Sequence, residues 1–431
     1  MLGAGAAGLA AARVLSAAGV SAIVLEGRNR IGGRLLTRED IGLPLPIELG
    51  GEFIHGWSAL SFEVLRAAHG VAVDTGGASF AYEDGELRAR EDPFEIVFDA
   101  MSRARSLADD VSIDEYLRSL PGNDPKTERE RRYARMMVEG FDAADPRRAS
   151  TLALAEEWCS GEGGQTAEQF RPLGGYAHFM RTLHGMLDPT RVHVRLATPV
   201  QAVWHDGDGV VVEATTLGEP LTVRARAAIV TLPLGVLQAG SVRFAPDLPA
   251  SKRSALSALV MGPVVKLVLR FRTAFWERVH DERYRDGAFF QRAEAAFPTF
   301  WTLIPLRAPL LVAWAGGPKA DALAGCDEAA LVSRALDDLR TLFGNDPDPC
   351  AELEAAYAHD WQSDPFSFGA YSYVATGGLA ARAQLAAPVD DVLFFAGEAT
   401  APASEAGTVA GALQTGDRAG REALAVIRRS A

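Results

Sequence analysis

The chain has 431 residues, which is long for one hydrophobic core, so two intertwined domains are expected. Hydrophobic residues make up 48% and charged residues 23%, a globular balance that excludes an extensively disordered chain. The net charge of −13 disfavours nucleic acid and favours cationic small molecules only weakly, because most surface charge is solvated. Cys159, Cys326 and Cys350 match no metal or redox spacing, so we expect reduced thiols and no metal site.

The N-terminal segment is apolar, but it does not have the pattern of a targeting signal. No basic residue precedes the apolar run, and Arg13 interrupts it. No run of 18 or more uncharged apolar residues suggests a membrane span. We therefore expect a cytoplasmic protein that does not associate with membranes.

A glycine pattern opens the chain. It consists of Gly3, Gly5 and Gly8, with Ala6 and Ala7 before the last glycine. The first glycine permits a tight turn, the second lets the backbone approach a pyrophosphate, and the third lets a helix pack on a sheet. A helix predicted over 9–18 would present free N–H groups and its positive dipole end to phosphates. Only Met1 and Leu2 precede Gly3, where a strand of about 5 residues is expected, so neighbouring strands should lack pairing.

A strand predicted over 21–25 ends at Glu26, whose carboxylate can accept both hydroxyls of a ribose. With the glycine pattern, this arrangement predicts dinucleotide binding. Residues 60–170 are expected to be mainly helical. Strands are predicted over 192–196, 200–204, 210–214, 221–224, 227–232, 264–271, 299–304, 310–314 and 392–395, with 299–304 and 310–314 in one sheet, and helices over 328–342 and 408–427.

The residues after Glu26 carry a resemblance to a known family. Glu26-Gly27-Arg28 and Ile31-Gly32-Gly33-Arg34 resemble the motif that follows the ribose-binding glutamate in flavin-containing amine oxidases, which include monoamine oxidases, polyamine oxidases and lysine-specific demethylases. Paired glycines allow the backbone to pass close to a cofactor. Arg34 can neutralise pyrophosphate charge or reach flavin oxygens. The alternative is a surface turn with solvated arginines.

Four further segments extend the resemblance over almost the whole chain. They are ELGGEFIHG at 48–56, Pro199-Val200, FAGEAT at 395–400 and GTVAGA at 407–412. The resemblance places Gly50, Gly51 and Glu52 beneath the flavin ring, backbone of Val200 at the adenine, and Gly397, Glu398, Thr408 and Val409 at the flavin. A helix that begins there would stabilise negative charge on the reduced ring. Alternatively, Glu398 caps a helix.

Lys266 interrupts the apolar strand predicted over 264–271. From spacing alone, either its long stem carries the ammonium to solvent or the ammonium is buried with partners. The resemblance matches it to the lysine that holds a water near flavin N5.

The segment DWQSDPFSFGAYSYV contains Trp361 and Tyr371. It resembles the segment that places aromatic residues on the substrate side of the flavin in polyamine oxidases and histone-lysine demethylases. Core packing of a strand is the other interpretation. Thr408 is expected to act with these residues, although it stands where monoamine oxidases have a second tyrosine. Ala370 stands where covalent members have cysteine, so FAD is expected to be bound non-covalently.

The resemblance implies an α/β fold: a Rossmann-like FAD-binding domain of the GR2 flavoprotein type, interwoven with an α+β substrate domain on a mixed sheet. We expect the first at 1–70, 176–255 and 365–431, and the second at 71–175 and 256–364. The implied reaction transfers hydride from a small-molecule amine to flavin N5, forms an imine and reduces O2 to hydrogen peroxide. An amino-acid oxidase, a desaturase, a porphyrinogen oxidase and a flavin-free homologue stay open as alternatives.

Overall fold

The computed structural model describes residues 1–122, 124–159 and 168–429. The helices are α1 (Ala6–Ala17), α2 (Ala59–Ala67), α3 (Pro93–Ala104), α4 (Ile113–Ser119), α5 (Pro125–Gly140), α6 (Thr151–Trp158), α7 (Gly175–Gly185), α8 (Leu234–Gln238), α9 (Ala250–Ala258), α10 (Pro318–Asp321), α11 (Glu328–Phe343), α12 (Pro349–Glu352), α13 (Ala381–Ala386) and α14 (Val409–Arg429). In these ranges, no helix combines the length and hydrophobicity needed to cross a bilayer.

The strands are two to eight residues long. They are β1 (Ala22–Leu25), β2 (Thr37–Arg38), β3 (Ile47–Glu48), β4 (Ile54–His55), β5 (Ala72–Asp74), β6 (Ala78–Glu83), β7 (Glu86–Ala89), β8 (Gln169–Pro172), β9 (Val192–Arg195), β10 (Val200–Asp206), β11 (Gly209–Thr216), β12 (Glu219–Ala225), β13 (Ala228–Val230), β14 (Arg243–Ala245), β15 (Leu259–Gly262), β16 (Val264–Phe271), β17 (Gly287–Gln291), β18 (Thr299–Trp301), β19 (Leu310–Gly316), β20 (Leu353–Ala358), β21 (Tyr371–Val374) and β22 (Leu393–Phe395).

The chain divides into two compact units, each made of segments distant in sequence. Unit 1 comprises Met1–Val71, Pro172–Met261 and Gln362–Ala431, and unit 2 comprises Ala72–Arg171 and Gly262–Trp361. The boundaries expected from the sequence lie within six residues of these divisions. Each unit has its own hydrophobic core.

A parallel sheet lies in the centre of unit 1. Strand β1 pairs with β9, and β13 pairs with β22. Leu2 forms bridges to both Leu25 and Val230, and its N–H donates to the carbonyl of Ile229 at 2.9 Å. Met1 and Leu2 thus lie between β1 and β13. The expectation that the strands beside the short first strand lack pairing is therefore wrong for the residues that flank Leu2.

Helices α1 and α14 pack closely in unit 1 because glycine and alanine lie between them. A Cβ on Gly416 would collide with the carbonyl oxygen of Ala7, and a Cβ on Gly420 would lie 3.0 Å from that of Ala11. The missing side chains let the two backbones approach each other. The helices predicted over 9–18 and 408–427 are these two, with ends displaced by one to three residues.

Unit 2 is built on a seven-stranded mixed sheet with the order β20-β16-β19-β18-β17-β6-β7. The pair β17–β6 is parallel, and β18 and β19, which were predicted to lie in one sheet, pair antiparallel. One face of the sheet is the core, which includes Leu267, Leu269, Phe271, Phe290, Phe300 and residues of α11. Because side chains alternate along a strand, Lys266 and Val268 lie on the opposite face.

The expectation that 60–170 is mainly helical is wrong for residues 78–89. They form the hairpin β6–β7 at one edge of the sheet of unit 2. Asp84 and Gly85 at the turn have φ of +52° and +83°, as a two-residue hairpin turn requires. The Asp-Gly pair indicates such a turn in the sequence. The flanking segments, however, contain few of the large apolar residues that are typical of strands.

Candidate functional site

The glycine pattern forms the turn into α1. Gly3 has a φ of +115°, and a Cβ on Gly8 would collide with the carbonyl oxygen of Gly3. These two glycines are therefore required by the fold itself. Gly5 differs, because the nearest atom to a Cβ there is the Cα of Gly33, 3.9 Å away. Gly5 thus leaves space at the N-terminus of α1, where backbone N–H groups favour a phosphate.

Glu26 is buried at the end of β1 and shapes the same loop. Its carboxylate accepts the N–H of Ala4 at 2.8 Å and the N–H of Arg28 at 2.9 Å. Each carboxylate oxygen has a second lone pair, so both retain capacity for a ribose hydroxyl. The N–H of Thr198 donates to the carbonyl of Glu26 at 2.7 Å, which brings the chain leading to Val200 alongside.

Arg28 and Gly27 are held by a segment from the other end of the sequence. The guanidinium of Arg28 donates to Asp364 at 2.7 Å and to the hydroxyl of Ser367 at 2.8 Å. A Cβ on Gly27 would collide with the ring of Phe366. The structure therefore gives this pair a role in fixing the loop, and direct contact of Arg28 with a cofactor stays a prediction.

Arg34 joins a buried ionic network that contains Glu398. Its Nη1 donates to Glu398 Oε1 at 2.8 Å and to the carbonyl of Ala370 at 2.7 Å. The other oxygen, Oε2, accepts the hydroxyl of Ser372 at 2.7 Å. Burial by itself raises the pKa of Glu398, but Arg34, Arg382 and Ser372 together lower it below its usual value. Glu398 is thus an ionised partner of Arg34, and no helix cap is needed to explain it.

The glycine-rich segment 49–51 runs beside the segment that ends at Arg34. The N–H of Gly51 donates to the carbonyl of Arg34 at 3.3 Å. A Cβ on Gly51 would lie 3.5 Å from Cγ2 of Val409. Gly50 and Glu52 flank this contact, and Glu52 is buried. Three predicted cofactor segments therefore meet within unit 1.

Tyr371 and Thr408 are also brought together. The half-buried ring of Tyr371 packs against Gly407, where a Cβ would lie 3.2 Å from its Cδ2. The hydroxyl of Thr408 donates to the carbonyl of Glu405 at 2.8 Å and accepts the N–H of Gly411 at 2.9 Å. Thr408 therefore caps α14, and its direct part in catalysis stays a prediction.

Lys266 lies in unit 2 and is only 3% exposed. Its Nζ is 5.5 Å from the centre of the Trp301 ring, a distance typical of a cation–π contact. Trp314 lies directly opposite Lys266 on β19, and its indole N–H donates to the carbonyl of Gly140 at 2.7 Å. The interpretation that a long stem carries this ammonium to solvent is therefore wrong.

Trp361 is the last residue of unit 2 in the sequence, and it is buried. Its ring meets that of His359 edge to face at 4.2 Å. This packing fits a structural residue as well as one that faces a substrate, so its role stays a prediction.

Sequence reasoning missed the residues that hold the predicted ones in place. They are Thr231 beside Gly3, Asp364 and Ser367 at Arg28, Ser372 and Arg382 at Glu398, and Trp301 at Lys266. Three of these six contacts join residues more than two hundred positions apart. The quoted segment DWQSDPFSFGAYSYV contained three of them, but nothing in one sequence indicated their partners.

Comparison with known proteins identifies the family. The profile described as "Flavin containing amine oxidoreductase" matches residues 6–424. The chain is 30% identical to lysine-specific histone demethylase 1 homolog 3 of Arabidopsis thaliana, covering 99% of this chain and 30% of that protein. It is 28% identical to probable polyamine oxidase 4 of the same plant, covering 93% and 81%. The chain thus spans less than a third of the demethylase homologue.

Solved structures share the fold. A wild-type putrescine oxidase bound to putrescine superposes with a TM-score of 0.82 at 22% identity, over 98% of each chain. Cyclohexylamine oxidase from Brevibacterium oxydans superposes with a TM-score of 0.81 at 23% identity, covering 100% of this chain and 98% of that one. At these identities the likeness confirms the expected two-domain flavoprotein fold.

Proposed function

Because the chain belongs to the family of flavin-containing amine oxidoreductases, whose cofactor is FAD, we propose that it is an oxidase of a small-molecule amine. The observation that carries this proposal is the burial of Lys266 in an apolar strand beside Trp301. A buried ammonium is expensive to keep in a fold, and such groups concentrate at functional sites.

The residues of unit 1 fit FAD. Gly5 leaves room for a pyrophosphate at the N-terminus of α1, and Glu26 retains acceptors for ribose hydroxyls. The residues that would hold the cofactor are Gly3, Gly5, Ala6, Ala7, Gly8, Glu26, Gly27, Arg28, Gly33, Arg34, Gly50, Gly51, Glu52, Val200, Gly397, Glu398, Thr408 and Val409. Ala370 offers no thiol, so the attachment we propose is non-covalent.

The overall reaction converts an amine, O2 and water into a carbonyl compound, a shorter amine or ammonia, and hydrogen peroxide. When bound, FAD supplies the two-electron acceptor for a hydride from the carbon next to nitrogen and passes the electrons to O2. The protein selects the neutral amine, because the nitrogen lone pair must be available to form the imine.

Lys266 and the aromatic residues have separate tasks in this proposal. Lys266 has three N–H donors and no acceptor, so it would orient a water that either attacks the imine carbon or assists reoxidation of the flavin by O2. Tyr371 and Trp361 would present flat apolar faces that orient the amine and keep other water from its α-carbon. The Thr408 hydroxyl would act mainly by capping α14, which fixes Gly407 against Tyr371.

The proposal is tested with purified protein and a panel of monoamines, diamines and longer polyamines. Under anaerobic conditions, at least one amine should bleach the absorbance of the oxidised flavin, and air should restore it with release of hydrogen peroxide. Bleaching by amino acids alone would favour an amino-acid oxidase, and a colourless protein would favour a flavin-free homologue. Either result would overturn the proposal.

A further inference from the structure

Arg382 is a buried arginine of α13 that the reaction above does not use. It is 8% exposed. Its Nη1 donates to the hydroxyl of Ser372 at 3.0 Å and to the carbonyl of Glu398 at 3.3 Å, and its Nη2 donates to the carbonyl of Ser372 at 2.9 Å. Because these three hydrogen bonds hold the planar guanidinium in one geometry, the side chain of Arg382 is rigid.

The network that contains Arg382, Arg34 and Glu398 holds the main chain on both sides of Tyr371. The carbonyl of Ala370 accepts a bond from Arg34 at 2.7 Å. The N–H of Ser372 donates to Glu398 at 3.2 Å, and its carbonyl accepts from Arg382. The peptide groups that flank Tyr371 are therefore held by charged side chains.

The network and the ring of Tyr371 lie on opposite faces of strand β21. Successive residues of a strand point to opposite faces, so Ser372 turns toward Glu398 and Arg382 while Tyr371 turns away. Arg382 thus acts on Tyr371 only through the backbone.

Helix α13 is itself anchored at its other end. The ammonium of Lys252, on α9, donates to the carbonyls of Gln384 at 2.9 Å and Leu385 at 2.6 Å and also to that of Ala387. A cation at the last carbonyls of a helix stabilises that end. These bonds are made at the C-terminal end of α13, whereas Arg382 is its second residue, so Lys252 stabilises the helix away from the contacts of Arg382.

We propose that Arg382 is a positioning residue for amine binding, which holds Tyr371 in place through Ser372 and Glu398. This inference rests on the proposed role of Tyr371 at the substrate. A displaced ring weakens the hold on the amine, and small misplacements of binding groups have large kinetic effects.

The test compares Arg382→Met and Arg382→Lys with Lys252→Met. The control removes the buried cation of α9 that bonds the C-terminal end of α13. The readouts are the KM and kcat for the best amine, the melting temperature, and the Kd of an amine without an α-hydrogen, measured from the flavin absorbance. Such an amine binds but cannot be oxidised, so its Kd reports binding alone.

We expect Arg382→Met to raise both the KM and this Kd about tenfold, with a smaller change in kcat, and Arg382→Lys to restore part of the loss. Lys252→Met should lower the melting temperature but leave both constants within about twofold. If Arg382→Met does not fold, Ser372→Ala provides the same comparison and should also raise the Kd.

The outcomes separate the two proposals. Equal effects of Arg382→Met and Lys252→Met, or an unchanged Kd in Arg382→Met and Ser372→Ala, would show that Arg382 is merely structural. If the wild-type protein neither binds nor oxidises any amine, the proposed function fails and the inference fails with it.

Discussion

The two units of the molecule surround their predicted site residues with different kinds of groups. In unit 1, backbone turns and buried ions predominate: Glu26, Arg28, Arg34, Glu398 and Arg382 are all joined to distant segments by hydrogen bonds. In unit 2, Lys266 lies on a sheet face with Trp301 and Trp314. The first arrangement suits a cofactor with phosphates and many polar edges, and the second suits a neutral organic amine.

These two arrangements predict rigidity in the cofactor-binding segments and selectivity at the apolar sheet face. A charged cofactor needs fixed dipoles and counter-charges, which act strongly where water is excluded. An amine that reacts as the neutral form needs an apolar wall, because burial disfavours the ammonium. Substitutions in the glycine loop of unit 1 should therefore alter cofactor retention and stability, and substitution of Lys266 in unit 2 should alter the reaction while leaving the cofactor bound.

Gly8→Ala should have the largest effect. The new Cβ would collide with the carbonyl oxygen of Gly3, so the loop must move. We expect loss of bound FAD and a fall of about 3 kcal/mol in the free energy of unfolding. Flavin absorbance and urea denaturation measure the two effects. Gly185→Ala is the matched control, because a Cβ there meets nothing within 4 Å. Normal FAD content in Gly8→Ala would contradict the geometry of the loop.

Glu398→Gln should destabilise the protein at neutral pH by about 2 kcal/mol, because it leaves Arg34 and Arg382 without their counter-charge. The folded-state pKa of Glu398 lies below its usual value of 4.5, so its ionisation stabilises the fold above that value. This contribution is lost as pH falls through the folded-state pKa.

The corresponding measurement is denaturation of wild type and Glu398→Gln at several pH values. The difference in unfolding free energy should be constant near neutral pH and narrow below about pH 4.5. Glu422→Gln, which removes a half-exposed pair with Arg418, should cost less than about 1 kcal/mol. A difference that widens in acid would show that the ion network is wrongly described.

Gly5→Ala should behave differently from Gly8→Ala, because the protein has room for a Cβ at Gly5. We expect the apoprotein to lose less than about 0.5 kcal/mol of stability. The Kd for FAD should nevertheless rise at least tenfold, about 1.4 kcal/mol, because the Cβ takes space meant for the pyrophosphate. Titration of apoprotein with FAD measures the Kd. An unchanged Kd would place the phosphates elsewhere.

Thr408 should give the smallest effect. Thr408→Val removes the cap of α14 and should cost about 1 kcal/mol, while Thr408→Ser keeps the hydroxyl and should cost little. Both the melting temperature and kcat should be compared. If Thr408→Ser lowers kcat strongly while stability is unchanged, the methyl group of Thr408 takes part in catalysis and capping is not its main role.

The two units also differ in how much the sequence reveals. The glycine loop, Glu26 and the motif ending at Arg34 could be predicted because cofactor binding demands particular backbone shapes at fixed spacing. Strand β16 was likewise evident from its apolar run, with bounds that match the structure. The structural roles of these glycines and of the long apolar run can be predicted from the local sequence alone.

The remainder depends on contacts that a local pattern does not contain. The partners of Arg28 and Glu398 lie hundreds of residues away or in another element, and Trp301 meets Lys266 only after two strands have joined one sheet. The hairpin β6–β7 was missed because its edge position needs few large apolar residues. Side-chain partners across a fold follow from topology, and topology follows from the whole chain.

The role of Lys266 is tested by mixing wild type, Lys266→Met and Lys319→Met with the best amine in a stopped-flow spectrophotometer, first without O2 to follow flavin reduction and then with O2 to follow reoxidation. Lys319 also lies in unit 2, where it donates to the carbonyl of Ala295. We predict equal FAD content in all three proteins. In Lys266→Met only, the rate of flavin reduction or of reoxidation should fall more than tenfold, about 1.4 kcal/mol. Equal rates of flavin reduction and of reoxidation by O2 in wild type and Lys266→Met would contradict the assignment of this buried lysine to the reaction.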